Sequence, residues 1–154
     1  TATEEELMQL MGTLGLLWRV PLLLALSREL SERDQIPRDK KELEKLPGIG
    51  DYSASAFLSL HMNRRAAIID ANVVRWLCRM TGIEYHGEVR RQKWLRDLAS
   101  SLTPVTVFRD YNYGVLDLTM TVCTASPKCS ECPVRKHCFY GIAAKRQGNE
   151  QPAS

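Results

Sequence analysis

Two glycines and a proline fall within the five residues Leu46-Pro47-Gly48-Ile49-Gly50, and helical patterns flank them on both sides. Upstream, Asp39 to Lys45 is charged and leucine-punctuated, as a short helix would be. Downstream, Ala54, Phe57, Leu58, His61 and Met62 recur at helical spacing from a start near Asp51. The gap between the two patterns is too short for anything but a tight helix–turn–helix hairpin. Glycines at 48 and 50 permit left-handed backbone and leave room for another molecule to come close. The N–H groups of such a turn, with the N-terminus of the helix behind it, form a concavity suited to a phosphate oxygen. The same pentapeptide also fits an ordinary corner between helices.

The remaining chain reads as helices throughout, so the expected fold is all-α. Thr3-Glu4-Glu5-Glu6 has the form of a capping box, with an acidic first turn that suits the helix dipole. That helix ends between Gly12 and Gly15. A second begins around Trp18 to Pro21 and runs to about Glu32, with Leu22, Leu23, Leu26 and Leu30 as its apolar face. Arg33 to Arg38 is a polar link into the hairpin. Beyond Met62, Asn63-Arg64-Arg65 turns the chain into a short apolar lead-in that ends at Asp70. Val74, Leu77, Cys78 and Thr81 then line one face of a helix closed by Gly82. A basic helix from about Glu88 to Leu102 buries Trp94, Leu95, Leu98 and Leu102, and Pro104 ends it. Tyr111 to Val122 forms another helix, and beyond about Ile142 a polar tail frays.

At 154 residues the chain can build one full core or two small lobes. The net charge of +3 is mild, but it is unevenly placed. Residues 1–50 carry seven Lys/Arg against nine Asp/Glu, whereas residues 61–100 carry eight (Arg64, Arg65, Arg75, Arg79, Arg90, Arg91, Lys93, Arg96) against four. The second stretch suits a polyanionic partner, or simply solvated helix faces. The most apolar run, Leu14 to Leu26, is interrupted by Trp18-Arg19 and Pro21 and is too short to span a bilayer. With no signal peptide in view either, the expected location is intracellular. The chain opens on Thr1 rather than Met, which suggests a fragment or a processed form.

Cys123, Cys129, Cys132 and Cys138 follow the spacing C-x5-C-x2-C-x5-C, close enough to surround one metal centre. Disulfides, a zinc ion held by four thiolates and an iron–sulfur cluster all fit that count. The fifth cysteine, Cys78, sits on an apolar helix face, where a buried core role is expected. Asp70 is equally open: it can cap the helix that starts at Ala71, or supply a carboxylate to a developing cation.

Taken together, LPGIG, the helix after it, the segment Ala67-Ile68-Ile69-Asp70-Ala71-Asn72-Val73-Val74-Arg75 and the cysteine run resemble the helix-hairpin-helix DNA glycosylases of the endonuclease III superfamily. The resemblance implies that Leu46, Pro47, Gly48, Ile49 and Gly50 grip the backbone of double-stranded DNA. It implies that Asp70, eighteen residues beyond Tyr52, is catalytic. It also implies that the four cysteines hold a structural [4Fe-4S] cluster. Family members space those cysteines C-x6-C-x2-C-x5-C, so the first loop here is one residue short. Lys128 lies in that loop, where the family places basic residues on phosphates. Tyr52 stands where lyase members carry a lysine, and a tyrosine cannot form the imine that leads to strand cleavage.

The expected activity is therefore monofunctional base-excision repair: hydrolysis of the N-glycosidic bond of a flipped-out, mispaired base. Asp70-Ala71-Asn72 and Arg109-Asp110-Tyr111-Asn112-Tyr113-Gly114 look more like the thymine/uracil branch, acting opposite guanine. An adenine glycosylase acting opposite guanine or 8-oxoguanine is the alternative, and a non-catalytic DNA-binding module is a third. The implied architecture is the C-terminal part of a six-helix barrel with the hairpin (residues 1–65), a cluster-bearing helical domain (66–142) and a flexible tail (143–154). Helices that family members carry upstream are absent, so an upstream segment or a second polypeptide is expected to complete the barrel of a monomeric enzyme.

Overall fold

The structure, a computed structural model, describes residues 3–86, 89 and 92–146. Among these residues it is helical, with no strand. The chain divides into two compact units, residues 1–54 and 55–154.

In the first unit, α1 (Glu4–Gly12) begins as its sequence dictates. The Thr3 hydroxyl accepts from the Glu6 amide at 3.2 Å, and the Glu6 carboxylate accepts from the Thr3 amide at 2.8 Å. A single 3₁₀ turn, Leu17–Arg19, leads into α2 (Val20–Ser31), whose Pro21 sits in the first turn, where no intrahelical N–H partner is needed. Only Val20 of α2 is buried. Leu22 and Leu23 are more than a third exposed and Leu26 and Leu30 are half-buried, so the expected apolar face is largely uncovered. Met8, Leu10, Leu14, Leu17 and Trp18 are exposed as well. α3 (Lys40–Leu43) is one turn long, capped by Asp39 and anchored by buried Leu43 and Leu46.

α4 (Asp51–Ala56) starts where the periodicity places it, but from Phe57 to His61 it widens into a π-helical turn that the pattern did not predict. This turn packs against α7 (Phe108–Thr121). Buried Asn112 donates to the Ser59 hydroxyl at 2.7 Å and to the Ala66 carbonyl at 2.9 Å. These two bonds tie the π turn and the lead-in to Asp70 to α7. Asn63, at φ +50°, makes the reversal between them.

The core of the second unit is built around α5 (Ala71–Thr81). Val73, Val74, Trp76, Leu77 and Cys78 are buried there against Ile69, Val89, Leu95, Ala99 and Cys123. Leu77 and Leu95 are fully enclosed, which stabilises the fold by about 2 kcal/mol each. α6 (Lys93–Leu102) starts at Lys93, and the expected start at Glu88 lies outside the described residues. Its Leu95 and Ala99 are buried, Trp94 and Leu98 are half-buried, and Leu102, expected inside, is exposed. α7 begins three residues before the expected Tyr111. α8 (Phe139–Arg146) continues past Ile142, where fraying was expected; residues 147–154 of the tail lie outside the described residues.

Gly82 ends α5 in the left-handed region (φ +77°), its N–H turned back to the Cys78 carbonyl. A Cβ there would lie 2.7 Å from the ring of Phe139 on α8. Gly82→Ala therefore combines backbone strain with overpacking and is expected to cost about 2 kcal/mol or more, read as a lower urea midpoint with unchanged slope.

Candidate functional site

The hairpin is made by local bonds. Asp39 Oδ1 accepts from the Lys41 and Glu42 amides at 2.9 and 3.4 Å and starts α3. The Leu46 amide returns to Leu43 O at 3.0 Å, and the Ile49 amide to Leu46 O at 3.1 Å, which closes the turn. α4 then opens with the Ala54 amide on Gly50 O at 2.9 Å. Lys40 Nζ meets Asp51 Oδ1 at 2.6 Å; both groups are more than a third exposed, so the pair contributes well under about 1 kcal/mol.

The two glycines differ. Gly48 is left-handed (φ +72°), and a Cβ there would press within 3.1 Å of Leu22 Cβ. Gly50 needs no positive φ, and an added Cβ meets nothing within 4 Å. The expectation that both glycines serve left-handed backbone is corrected at Gly50, whose backbone simply stands open. Leu46 is buried beneath the turn, Pro47 and Ile49 are half-buried, and Gly50 is exposed. Tyr52, in the first turn of α4, is 44% exposed.

Asp70 belongs to the second unit and is half-buried at the head of α5. Its Oδ1 accepts the Val73 amide at 2.7 Å, the bond of an N-cap. Its Oδ2 accepts Asn72 Nδ2 at 3.1 Å. Asn72 Oδ1 in turn accepts Arg75 Nη1 at 2.9 Å, and Arg75 Nη2 donates to the carbonyls of Cys123 at 2.9 Å and Thr119 at 3.1 Å. A line of hydrogen bonds thus runs from Asp70 through Asn72 and Arg75 to the first cysteine of the run. Sequence reading noted Asn72 only as part of a triplet and gave it no structural role.

Arg65, Arg75, Arg79 and Lys93 are among the basic residues between 61 and 100 that protein groups hold. Arg75 is held as above. Arg79 donates to Thr124 O at 2.6 Å, Ala125 O at 2.9 Å and Cys123 Sγ at 3.4 Å, and lies 5.2 Å from the centre of the Tyr140 ring. Arg65 reaches the Ser100 and Thr103 carbonyls at the end of α6, and Lys93 pairs with Asp97. Arg90 and Arg91 lie outside the described residues. A polyanion-facing stripe is therefore not what Arg65, Arg75 and Arg79 form. Asn72, Arg75 and Arg79 fall at i, i+3 and i+7 on one polar stripe of α5, and that spacing alone does not tell internal acceptors from solvent.

Cys123, Cys129, Cys132 and Cys138 all line one cavity of about 330 Å³, counting the solvent at its mouth. Cys123 and Cys138 are buried, Cys129 and Cys132 half-buried, and all are free thiols. Burial pushes the Cys129 thiol up, and the neighbouring Cys138, Cys123 and Cys132 push it further, while Arg79 opposes them. Burial likewise raises Cys132, against hydrogen bonds from the Val134 and Arg135 amides. Such crowding keeps these thiols protonated unless a cation stabilises their thiolates. Among the described residues no three His, Cys, Asp or Glu side chains converge closely enough to hold a single metal ion. Lys128 is exposed at the rim of the cavity, and its backbone N–H donates to Val122 O at 2.9 Å. Cys78 lies in the core, its thiol raised by burial, as its position on the helix predicts. Among the described residues no helix is long and apolar enough to cross a membrane.

Residues 31–60 match the model of the helix-hairpin-helix motif. A thymine/uracil-DNA glycosylase of Pyrobaculum aerophilum is 40% identical over 142 residues, which cover 86% of this chain and 61% of that protein. An adenine DNA glycosylase of Rattus norvegicus is 34% identical over 145 residues, covering 90% of this chain and 28% of that one. A solved thermostable thymine-DNA glycosylase superposes with a TM-score of 0.80 at 31% identity, over 92% of this chain and 67% of that one. Endonuclease III in a non-covalent DNA complex superposes at 0.78 and 25% identity, over 94% and 68%. The chain spans between 48% and 66% of three thymine glycosylases that it matches. With the hairpin motif matched and the fold shared along nearly its whole length, the chain belongs to the helix-hairpin-helix DNA glycosylases of the endonuclease III superfamily.

Proposed function

We propose that this chain carries the DNA grip and the catalytic carboxylate of a monofunctional glycosylase that removes thymine or uracil mispaired with guanine. The observation that carries this is the placement of Asp70. Its two oxygens are oriented by the Val73 amide and the Asn72 side chain at the head of a rigid, buried helix. N-glycosidic cleavage sends the bonding electron pair out with the base and leaves an oxocarbenium-like sugar. A fixed carboxylate stabilises that cation and accepts a proton from the water that attacks C1′. The target base must first leave the duplex, which costs least at a mispair.

In this scheme Leu46 to Gly50 receive the phosphate backbone of double-stranded DNA, with the open backbone at Gly50 as the point of closest approach, and Lys128 adds a second phosphate contact. Tyr52 stands beside the flipped nucleotide and supplies no amine, so the abasic strand stays intact. The four cysteines would hold a [4Fe-4S] cluster, since thiols spread around one cavity suit a multinuclear group better than a single ion. Bound there, the cluster supplies a rigid anchor for the loop that carries Lys128. The exposed apolar side chains of α1 and α2 are the surface on which the remaining barrel helices pack, whether these come from an upstream segment or from a second polypeptide. The likeness to adenine DNA glycosylases leaves A·G and A·8-oxoguanine as the alternative targets.

Asp70→Asn separates chemistry from capping. Asparagine caps a helix as well as aspartate does, so stability stays within about 0.5 kcal/mol, yet the charge is gone. Single-turnover excision is expected to fall by at least about a hundredfold while duplex affinity stays within a few fold. Excision at near the wild-type rate would reduce Asp70 to a cap.

The hairpin glycines should divide. Gly48→Val strains the turn against Leu22 and lowers stability by about 2 kcal/mol. Gly50→Val leaves the melting temperature nearly unchanged but weakens binding to matched and mismatched duplexes alike, as titration of labelled DNA would show. Unchanged affinity in a folded Gly50→Val protein would move the DNA contact elsewhere.

A further inference from the structure

Trp76 is 6% exposed in the middle of α5, and its indole N–H is enclosed without a hydrogen-bond partner. Buried N–H groups are nearly always paired, so this one needs an acceptor. The same side chain lines the cavity that all four cysteines line. It shares a helical turn with Arg75 and Arg79, which hold the Cys123 carbonyl and sulfur. From this we infer that Trp76 donates its indole N–H to a sulfur of the metal–sulfur group seated in the cavity, either a cysteine thiolate or an inorganic sulfide.

The inference rests on the cluster assignment made above. What it adds is a role for one side chain of this sequence. Sulfur bound to iron carries partial negative charge and accepts an N–H bond. Such a bond withdraws electron density and favours the reduced form of a cluster, so it raises the reduction potential. Arg79 acts on the Cys123 sulfur in the same sense, at 3.4 Å. Trp76 is thus a positioning and tuning residue with no part in base removal.

The test uses the full chain purified without oxygen, in three forms: wild type, Trp76→Phe, and a protein with 3-benzothienylalanine at position 76. The last keeps the bicyclic shape and replaces N–H by sulfur, so it guards against a packing defect in the phenylalanine variant. Iron and sulfide are measured first, then the potential by voltammetry. Electron spin echo spectra of the paramagnetic cluster are recorded after 15N labelling of the tryptophan indoles. The expected result is iron in all three forms, a lower potential in both variants, and a 15N coupling in the wild type that both variants lose. Iron present with an unchanged potential and no coupling in the wild type would overturn the Trp76 assignment alone. A protein that binds zinc and no iron would overturn the cluster itself, and the Trp76 inference with it.

Discussion

The bond from the Val73 amide to Asp70 fixes where α5 begins, and most of the second unit is arranged around that helix. An N-cap of this kind contributes about 1 kcal/mol, little beside the apolar surface that α5 buries. Its larger effect is geometric. A carboxylate that must satisfy a helix terminus cannot rotate freely, and Asn72 holds its second oxygen. The same helix then carries Arg75 and Arg79 to the main chain of residues 119–125. One buried helix therefore sets the position of the carboxylate at its head and of the cysteine loop along its flank.

Much of this was legible in the sequence because the signals were local. The capping box at Thr3, the proline in the first turn of α2, the hairpin at 46–50 and the glycine closing α5 each depend on a few neighbouring residues. So did the N-cap at Asp70, which follows from its place before the helix that starts at Ala71. What the sequence hid was non-local. The π turn after Ala56 is tied through Ser59 to Asn112, over fifty positions later. The arginines of α5 looked like a basic surface because charge counting does not say which way a side chain turns, and their acceptors lie more than forty residues away. Gly50 could not be told from Gly48 without the backbone angles.

The two units also differ in how fully their sequences are satisfied. In the second, the apolar pattern of α5 and most of that of α6 are buried, and the fold follows from them. In the first, α1, α2 and the residues that join them leave Leu10, Leu14 and Trp18 more than half exposed. Helical periodicity predicted the elements correctly there and misjudged what they pack on. Exposed apolar side chains gathered in this way mark a face suited to packing against other elements.

The central claim is that Asp70 serves base hydrolysis at a T·G or U·G mispair and that no residue of the chain forms an imine with the sugar. Its most direct test is end-labelled duplexes carrying T·G, U·G, A·G, A·8-oxoguanine or matched pairs. Each is incubated with the protein purified from its source cells and resolved with and without alkali. The account predicts strand breaks only after alkali, and only for thymine and uracil opposite guanine. Cleavage without alkali, or excision confined to adenine, would contradict it.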